Sequence, residues 1–264
     1  MNKYFNQTNK KKFDRDGYVI LYNLISKKTI NKIKSKVYEL HEWESKKGKS
    51  YIYKFDKSKK TKRVWNLINK SALFRNLIQN KEVNNFMEWI FDRKTLHQKY
   101  FLSSFQANIL EPGADIQKLH IDTPVPEPLP SWPIKANSIW MIDDFTTDNG
   151  STEVLPKSHK FKFKPNKMDN KNKKIIKCIG PAGSVIITHG ALWHRAGGNK
   201  SNENRLALLG SFAASYAKEI SNEEDQSKVV DEFTIKRSTP FLKKILGFGH
   251  GIKEGSLIKP KNRD

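Results

Sequence analysis

Apolar residues in the first third of the chain recur with the spacing of amphipathic helices. After Ser26, a favourable helix N-cap, four of them follow at steps of three, four and three residues: Ile30, Ile33, Val37 and Leu40. This period places one apolar stripe along a helix, which we expect to pack against a core. Residues 64–92 repeat the pattern in broken form and are also predicted to be helical. Residues 17–22, rich in β-forming side chains, are predicted to form a short strand before the first of these helices.

From Tyr100 onward the helical period gives way to short runs of β-forming residues separated by turn residues. These runs cover residues 101–110, 137–145, 151–155, 184–188 and 205–213. Many short strands with turns between them are typical of a sandwich or barrel. The sequence therefore predicts a mostly β protein with flanking helices. The proline-rich residues 124–130 are predicted to be a loop, because proline is excluded from central strands.

The length of 264 residues is compatible with one domain, since β-sandwich and barrel domains often reach this size. We expect a single domain over residues 1–264. Within it, residues 1–15 are predicted to be a flexible basic leader. Residues of about 16–218 are predicted to hold the helices and the β core, and about 219–264 to form a C-terminal extension.

The charge of the chain is strongly basic, with 49 lysines and arginines against 27 acidic residues and a net charge of +22. Only eight of the basic residues are arginine, although arginine is the side chain that phosphate and base recognition favour. Lysines crowd residues 45–63, a predicted loop or hairpin, and residues 157–177, a predicted loop. A solvated lysine-rich surface is the simpler interpretation. A basic face towards an anionic substrate, nucleic acid or membrane is the alternative.

Cysteine content and hydropathy exclude several classes of protein. The single cysteine, Cys178, excludes an intrachain disulfide and a cysteine-based zinc site. No apolar run approaches the ~18 residues that span a bilayer, and residues 1–16 lack the apolar centre of a signal peptide. We therefore expect a soluble, cytoplasmic protein without a membrane partner, whose oligomeric state the sequence does not specify.

A possible metal site begins with His120 and Asp122. On an extended chain, residues two apart point to the same side, so the imidazole and the carboxylate can converge on one point. Such a pair suits a divalent metal such as Fe(II). A structural hydrogen-bonded pair would give the same short motif.

A second histidine ligand is available at the end of the apolar run 185–188. His194 would complete a face of two histidines and one carboxylate, which leaves metal positions open for substrate and dioxygen. His189, which directly follows the run, is the competing candidate. Arg205 opens the last apolar run eleven residues after His194, and its guanidinium fork can hold a carboxylate. An arginine at a barrel rim, paired with an acidic side chain, is the alternative.

Five segments carry one family pattern in order along the chain: residues 16–20, the His120–Asp122 pair, and residues 140–152, 155–160 and 193–205. They resemble the phytanoyl-CoA dioxygenase family, the non-haem iron, 2-oxoglutarate-dependent oxygenases that include ectoine hydroxylase. The resemblance covers roughly residues 16–215. Lys157 departs from it, because it stands where the family's turn has glycine.

This resemblance implies a double-stranded β-helix, the cupin-like jelly-roll barrel. It implies that His120, Asp122 and His194 bind Fe(II) and act as the catalytic centre. It also implies that Arg205 holds the distal carboxylate of the co-substrate 2-oxoglutarate. By the same resemblance, Trp140 would line the co-substrate pocket, and Asn108 would contact the co-substrate.

The activity that the resemblance implies is hydroxylation of a small molecule, with O2 consumed and succinate and CO2 released. Halogenating relatives carry a small residue where this chain has Asp122, so hydroxylation is expected here. The basic composition adds an anionic substrate as one option.

Two other functions fit parts of the pattern. Oxidative demethylation of nucleic acid or another substrate would use the same metal face and the positive charge, but the lysines lack the aromatic interleaving of stacking surfaces. Lysines clustered at the mouth of the metal site would favour this function. A non-catalytic metal-binding barrel is the third possibility, and the presence of Arg205 disfavours it.

The remaining histidines are assigned weaker roles. His159 is predicted to be a turn histidine that bonds to backbone, and His41, His97 and His250 to be surface or core residues. Trp132, in the loop that follows the His120–Asp122 pair, is considered as a lining residue of the substrate cavity.

Overall fold

Two antiparallel β-sheets form the centre of the protein, and helices cover one face of the larger sheet. The computed structural model describes residues 3–48, 51–52, 56–92, 100–165, 174–220 and 230–248. The strands are β1 (Tyr18–Leu21), β2 (Tyr51–Ile52), β3 (Thr61–Val64), β4 (Tyr100–Leu110), β5 (Lys135–Met141), β6 (Thr152–Val154), β7 (Ile176–Lys177), β8 (Val185–His189), β9 (His194–Ala196) and β10 (Arg205–Ala214). The large sheet has the order β1-β8-β5-β10-β4-β3-β2, and the small sheet has the order β7-β6-β9. The two sheets are not joined into one closed sheet in the described part of the chain.

The helices lie mainly before the β core in sequence. They are α1 (Gln7–Asp16), α2 (Lys27–Lys46), α3 (Leu67–Lys70), α4 (Ala72–Ile78), α5 (Lys81–Phe91), α6 (Glu232–Arg237) and α7 (Pro240–Ile245), with short 3-10 helices at Ser158–Lys160 and Ser215–Ile220. Ser26 caps α2 as predicted, because its hydroxyl accepts a hydrogen bond from the Thr29 amide at 3.3 Å. None of the described helices has the length and apolar character needed to cross a bilayer.

The central strands are two-faced. In β4, β5 and β10, alternate residues such as Leu102, Trp140 and Leu208 join the helices in one apolar cluster. The residues between them, such as Gln106, Asn137 and Ser211, face the other way and line a polar cavity. Because successive strand residues point to opposite sides, one set of strands supplies both the core and the cavity wall.

The strand predictions from Tyr100 onward are confirmed, with bounds that differ by a few residues. Residues 45–63 belong partly to α2 and partly to the hairpin β2–β3, in which Tyr51 pairs with Arg63. Residues 124–130 form no strand, as predicted from their prolines. Within the lysine-rich residues 157–177, the described part holds one 3-10 turn and strand β7.

The predicted flexible leader is wrong for most of its length. Residues 7–16 form α1, which Asn6 caps through its side chain. Phe13 is buried, and its ring lies 5.8 Å from that of Trp89 at an edge-to-face angle. A single buried aromatic residue anchors this helix, and the charged residues around it hide that signal in the sequence.

The C-terminal extension contributes to the helical side of the fold. Leu242, Ile245 and Leu246 of α7 and its C-terminal end are buried in the same apolar cluster as the early helices. This part of the extension therefore packs on the sheet face opposite the polar cavity. The remainder of the extension, at 221–229 and 249–264, lies outside the described residues.

Lys157 adopts a backbone conformation that glycine favours. Its φ is 71° and its ψ is −7°, the left-handed region that glycine adopts without strain. The lysine at this position therefore occupies the kind of turn geometry that explains a glycine in the family pattern.

Gly17 joins α1 to β1 at a position with no room for a side chain. Its φ is 83°, and its N–H donates to the Phe13 carbonyl at 2.7 Å. A Cβ atom at Gly17 would lie 2.5 Å from Nδ1 of His159 and 2.8 Å from Cδ1 of Leu192. Its carbonyl accepts from the His189 amide, so Gly17 holds α1 against the end of β8.

Replacing Gly17 by alanine should therefore cost more stability than the same change at a matched glycine. Gly48 has a similar φ of 65°, but a Cβ atom there would have no neighbouring atom within 4 Å. We expect a loss of about 1 kcal/mol in the free energy of unfolding for Gly48→Ala, and about 2–4 kcal/mol for Gly17→Ala, where steric overlap adds to backbone strain. Urea unfolding measures both, and equal losses would refute the steric role of this site.

Candidate metal centre

A polar cavity of about 370 Å³ lies between the two sheets. The larger sheet lines it with Ser104, Gln106 and Asn108 of β4, Lys135, Asn137 and Ile139 of β5, and Arg205, Leu209 and Ser211 of β10. The smaller sheet contributes Thr152, His194 and Ala196. Residues 120–122 complete the wall, so the cavity gathers side chains that are far apart in sequence.

The backbones of His120 and His194 are paired with each other. The amide of His120 donates to the carbonyl of His194 at 3.0 Å, and the amide of His194 donates back at 2.9 Å. This antiparallel bridge brings the two imidazole rings to a centroid distance of 4.5 Å. Two strand-like segments separated by more than seventy residues thus present their histidines side by side.

Asp122 closes the group from the same segment as His120. Its amide donates to the Gly190 carbonyl at 2.9 Å. Its Oδ2 lies 3.3 Å from Nε2 of His194, and its Oδ1 lies 3.9 Å from Nε2 of His120. One ligand atom from each of the three residues falls within 4.8 Å of the other two. The structure therefore brings together the three residues named from the sequence.

Both histidines offer Nε2 to the centre of this group. Nδ1 of His120 lies 2.8 Å from the Lys118 carbonyl, and Nδ1 of His194 lies 2.9 Å from the Leu192 carbonyl. A carbonyl oxygen only accepts hydrogen bonds, so each Nδ1 carries a proton, and Nε2 is the nitrogen left to bind a metal. This is the tautomer that histidine metal ligands adopt when a backbone carbonyl orients them.

The three side chains of this group shift one another's pKa values. Burial alone would raise the pKa of the Asp122 carboxyl, but His194 and His120 beside it lower that pKa below its ordinary value. Burial lowers the pKa of His120, whereas for His194 the Asp122 carboxylate outweighs burial and raises the pKa. The donor set that a metal meets here is two imidazole nitrogens and one carboxylate, which fits Fe(II) and leaves the remaining coordination positions open.

Arg205 is buried in the cavity wall. The residue is only 3% exposed, and burial lowers the pKa of its guanidinium to about 10. Its Nη2 donates to the Gly150 carbonyl, while its Nε has no partner. No carboxylate of the described residues forms a salt bridge with it, so the rim-pairing alternative does not apply there. A buried guanidinium that has no salt bridge among the described residues is suited to bind a carboxylate ligand.

Asn108 lies on the neighbouring strand and also lines the cavity. Its Oδ1 is buried and has no hydrogen-bond partner. Buried polar atoms are normally paired, so this orphaned atom, like Nε of Arg205, fits a wall that contacts a polar ligand.

The prediction that Trp140 lines the co-substrate pocket is wrong. Trp140 is fully buried in the apolar cluster on the helical side of the sheet, and its Nε1 donates to Ser138 Oγ at 3.0 Å. Its neighbours Ile139 and Asn137 line the cavity. The segment matches the family pattern, but the strand alternation turns this side chain to the opposite face.

The competing histidine lies elsewhere. His189 lines a separate cavity of about 760 Å³, together with His159 and Trp132. The His159 and His189 rings are 5.2 Å apart, and His159 Nε2 lies 3.2 Å from the Asp14 carbonyl. Trp132 therefore does not line the metal cavity, although Pro124 from the same loop does. His41 is partly buried, and His97 and His250 lie outside the described residues.

Sequence reasoning missed Asn137, which positions a metal-site residue. Its Nδ2 donates to Oδ2 of Asp122 at 2.6 Å and contacts Thr188 Oγ1 at 3.3 Å. Asn137 lies in a predicted strand, and the signal that could have identified it is a polar residue among apolar ones. Gly190 was also missed: a Cβ there would lie 2.5 Å from the Lys135 carbonyl oxygen, so only glycine fits between β5 and the Asp122 segment.

The lysines do not crowd the mouth of the metal site. Of the described lysines, Lys135 is the one that lines this cavity, beside Arg63, Arg195 and Arg205. Arg195 is paired with Glu153 at 2.7 Å. The clustering that would favour a nucleic-acid substrate is therefore not seen among the described residues.

Comparison with known protein families gives one match over most of the chain. The family model described as phytanoyl-CoA dioxygenase matches residues 13–207. Among curated proteins, dioxygenase af480 of Aspergillus fumigatus is 28% identical over 190 residues, which is 71% of this chain and 59% of that protein. The chain spans less than two thirds of the length of the first curated relatives it matches.

Solved structures share the fold at low sequence identity. EctD from S. alaskensis with bound Fe superposes with a TM-score of 0.68 at 16% identity, covering 80% of this chain and 78% of that one. HygX from Streptomyces hygroscopicus, with nickel, 2-oxoglutarate and hygromycin B bound, gives 0.65 at 12% identity, covering 80% and 88%. The predicted jelly-roll class is confirmed, with sheets that are not closed.

Removing His194 and removing His189 should have different effects on metal binding. We expect His194→Ala to abolish binding of one Fe(II) or Ni(II) per chain, because two ligands remain of three. His189→Ala should bind the metal as the unmodified protein does, since His189 lies in another cavity. Anaerobic calorimetric titration measures this, and the opposite pattern would reject the choice of ligand.

Asn137→Ala should weaken metal binding without abolishing it. Loss of the 2.6 Å hydrogen bond to Asp122 frees the carboxylate to rotate, and such outer contacts typically affect metal affinity about 10–100-fold. Ser211→Ala is the matched control. Ser211 of β10 pairs with Asn137 of β5 and lines the same cavity. Equal metal affinities of the two variants would contradict the positioning role of Asn137.

Proposed function

The chain belongs to the phytanoyl-CoA dioxygenase family, and from that premise we propose that it is an Fe(II)- and 2-oxoglutarate-dependent dioxygenase that hydroxylates a small molecule. The family, the named dioxygenases among its relatives and the His–Asp–His group all indicate this class of enzyme. The observation that carries the proposal is the pairing of a three-ligand metal group with a buried arginine that lacks an acidic partner among the described residues of the same cavity.

His120, Asp122 and His194 would hold the metal on one side of the cavity. Their donor set occupies one face and leaves the other positions to ligands from the cavity. When bound, Fe(II) with 2-oxoglutarate supplies the oxidising chemistry that inserts one atom of O2 into a C–H bond and releases succinate and CO2.

Arg205 would hold the distal carboxylate of 2-oxoglutarate through its guanidinium fork. Phe145 supports this placement, because the guanidinium carbon lies 4.5 Å from the centre of its ring. The hydrogen bond from Nη2 to the Gly150 carbonyl further restricts the side chain. Asn108, with its unpaired Oδ1, is proposed as a neighbouring polar contact of the co-substrate or the substrate.

A small molecule is the proposed substrate because of the size and nature of the cavity. Its volume of about 370 Å³ lies within the range of small-molecule sites. The structural neighbour HygX holds hygromycin B, which supports a small-molecule substrate here without identifying it. Asp122 supports hydroxylation over halogenation, since its carboxylate takes the position that a halide would need.

Anaerobic titration with Fe(II) and 2-oxoglutarate tests the proposed cofactors. The chelate of the two has a weak visible charge-transfer band, which we expect in the unmodified protein and not in His120→Ala. Release of succinate in air, dependent on both Fe(II) and 2-oxoglutarate, would then establish turnover. A folded protein that gives no band would reject the proposal.

Arg205→Ala should selectively weaken 2-oxoglutarate binding. Losing one partner of a buried charge pair costs about 2–5 kcal/mol, so the affinity measured by the band should fall about 30-fold or more. Fe(II) binding should change little, because Arg205 is not a ligand.

Arg195→Ala is the matched control for this change. This substitution also removes one positive charge from the cavity, but the charge of Arg195 is already paired with Glu153. Its variant should keep the 2-oxoglutarate affinity of the unmodified protein. Equal affinities for the Arg205 and Arg195 variants would exclude the anchor role of Arg205.

A further inference from the structure

We propose that Lys135 is a specificity-determining residue that binds an anionic group of the substrate, a carboxylate or a phosphonate or phosphate. This inference rests on the proposed function. It gives the substrate class that the cavity selects and names a residue that neither the family match nor the metal group points to.

Lys135 is a buried lysine in the cavity wall. It is 6% exposed, although lysine is almost never buried unless it is paired. It opens β5, and its side chain lines the cavity on the same side as Asn137 and Ile139. Its position is fixed by backbone contacts, because its carbonyl accepts from the Gly190 amide at 2.7 Å.

The ammonium group of Lys135 lacks a partner in the described part of the chain. No hydrogen bond joins its Nζ to any described residue, and no described carboxylate lies within the 4.0 Å of a salt bridge. Its charge acts on Asp122 and lowers the pKa of that carboxyl. A bound anion would supply the ionic partner that this ammonium group lacks among the described residues.

Lys135 and Arg205 reach the cavity from opposite ends of β10. Lys135 pairs with Ala213 at one end of this strand, and Arg205 lies at the other end. Ala213 and Arg205 are eight positions apart, so the backbones of the two cations are about 26 Å apart along the strand. The two cations therefore enter the cavity from well-separated backbone positions.

The metal group is next to the Lys135 end of β5. Asn137, two residues from Lys135 and on the same face, donates to Asp122. Residues two apart on a strand are about 7 Å apart. An anionic group held by Lys135 would therefore keep the neighbouring carbon atoms of the substrate beside the metal ligands, while Arg205 holds the co-substrate from the far end.

The arginines that line the cavity have other contacts. Arg195 is paired with Glu153, and Nη1 of Arg63 lies 3.5 Å from Oε1 of Gln106. Arg205 is assigned to the co-substrate. Lys135 shares its face of β5 with Asn137, which contacts Asp122, so its charge is well placed for the substrate.

Binding of three probes with similar carbon chains tests this proposal: hexanoate, hexylphosphonate and the neutral hexanamide. Each is titrated anaerobically into the protein loaded with Fe(II) and saturating 2-oxoglutarate, and perturbation of the visible chelate band reports binding. The unmodified protein should bind at least one of the two acids at least 10-fold more tightly than the amide. The preferred acid shows whether the site takes a carboxylate or a phosphonate.

Lys135→Gln should bind that acid at least 10-fold more weakly and bind hexanamide unchanged. Lys135→Arg should restore acid binding. Lys32→Gln, which removes the same charge from an exposed position of α2, should behave as the unmodified protein. The chelate band should persist in all of these variants with unchanged 2-oxoglutarate affinity, which shows that each variant is folded and loaded.

Three results would overturn the proposal while the band is intact. They are equal binding of acid and amide by the unmodified protein, no acid binding at all, or equal acid binding by Lys135→Gln. A loss of 2-oxoglutarate affinity in Lys135→Gln would also overturn it, because Lys135 would then be the co-substrate anchor. Absence of the band in the unmodified protein would instead be the failure of the proposed function.

Discussion

The reciprocal backbone hydrogen bonds between His120 and His194 are the constraint on which the site depends. They join a segment that follows β4 to strand β9 of the small sheet. This pairing sets the separation of the two rings, and the carbonyls of Lys118 and Leu192 set their orientation. The metal group is therefore fixed by main-chain geometry before any ligand arrives, which is the pre-organisation that a reactive metal site requires.

The two faces of the large sheet differ in character. One face packs against the helices in a continuous apolar cluster, which keeps the central strands rigid. The other face lines the cavity with polar side chains, including Asn137, which supports Asp122, and Arg205. The site is thus built on strands that the core holds in place. Arg205 and Lys135 can remain buried without acidic partners among the described residues because the rest of the fold offsets that cost.

Much of the fold and the ligand set was accessible from the sequence. The helical period after Ser26 and the β-rich runs after Tyr100 reflect burial on one face, and burial is what periodicity reports. The His-x-Asp pair and His194 could be named because they match a family pattern in order. Their convergence could not be derived from spacing, because it depends on strand pairing between residues distant in the chain.

The sequence does not show on which face of an element a side chain is buried, and this explains the wrong predictions for Trp140 and for residues 1–15. The family resemblance predicts that Trp140 lines the cavity, but it does not specify to which face of the strand each side chain points. Helix α1 was missed because one buried residue, Phe13, anchors a segment whose other residues are largely polar or charged. Lys135 is indistinguishable in sequence from the many surface lysines, since only its place at the start of β5 buries it.

X-ray absorption of the Fe(II)-loaded protein, without 2-oxoglutarate, is the direct test of His120, Asp122 and His194 as metal ligands. We expect one iron per chain, with scattering from two imidazole rings and otherwise light oxygen or nitrogen ligands. Neither His120→Ala nor His194→Ala should retain the iron, so neither variant should give this spectrum. A spectrum with no imidazole, or one that keeps both imidazoles when His194 is replaced, would contradict the assignment of the metal centre.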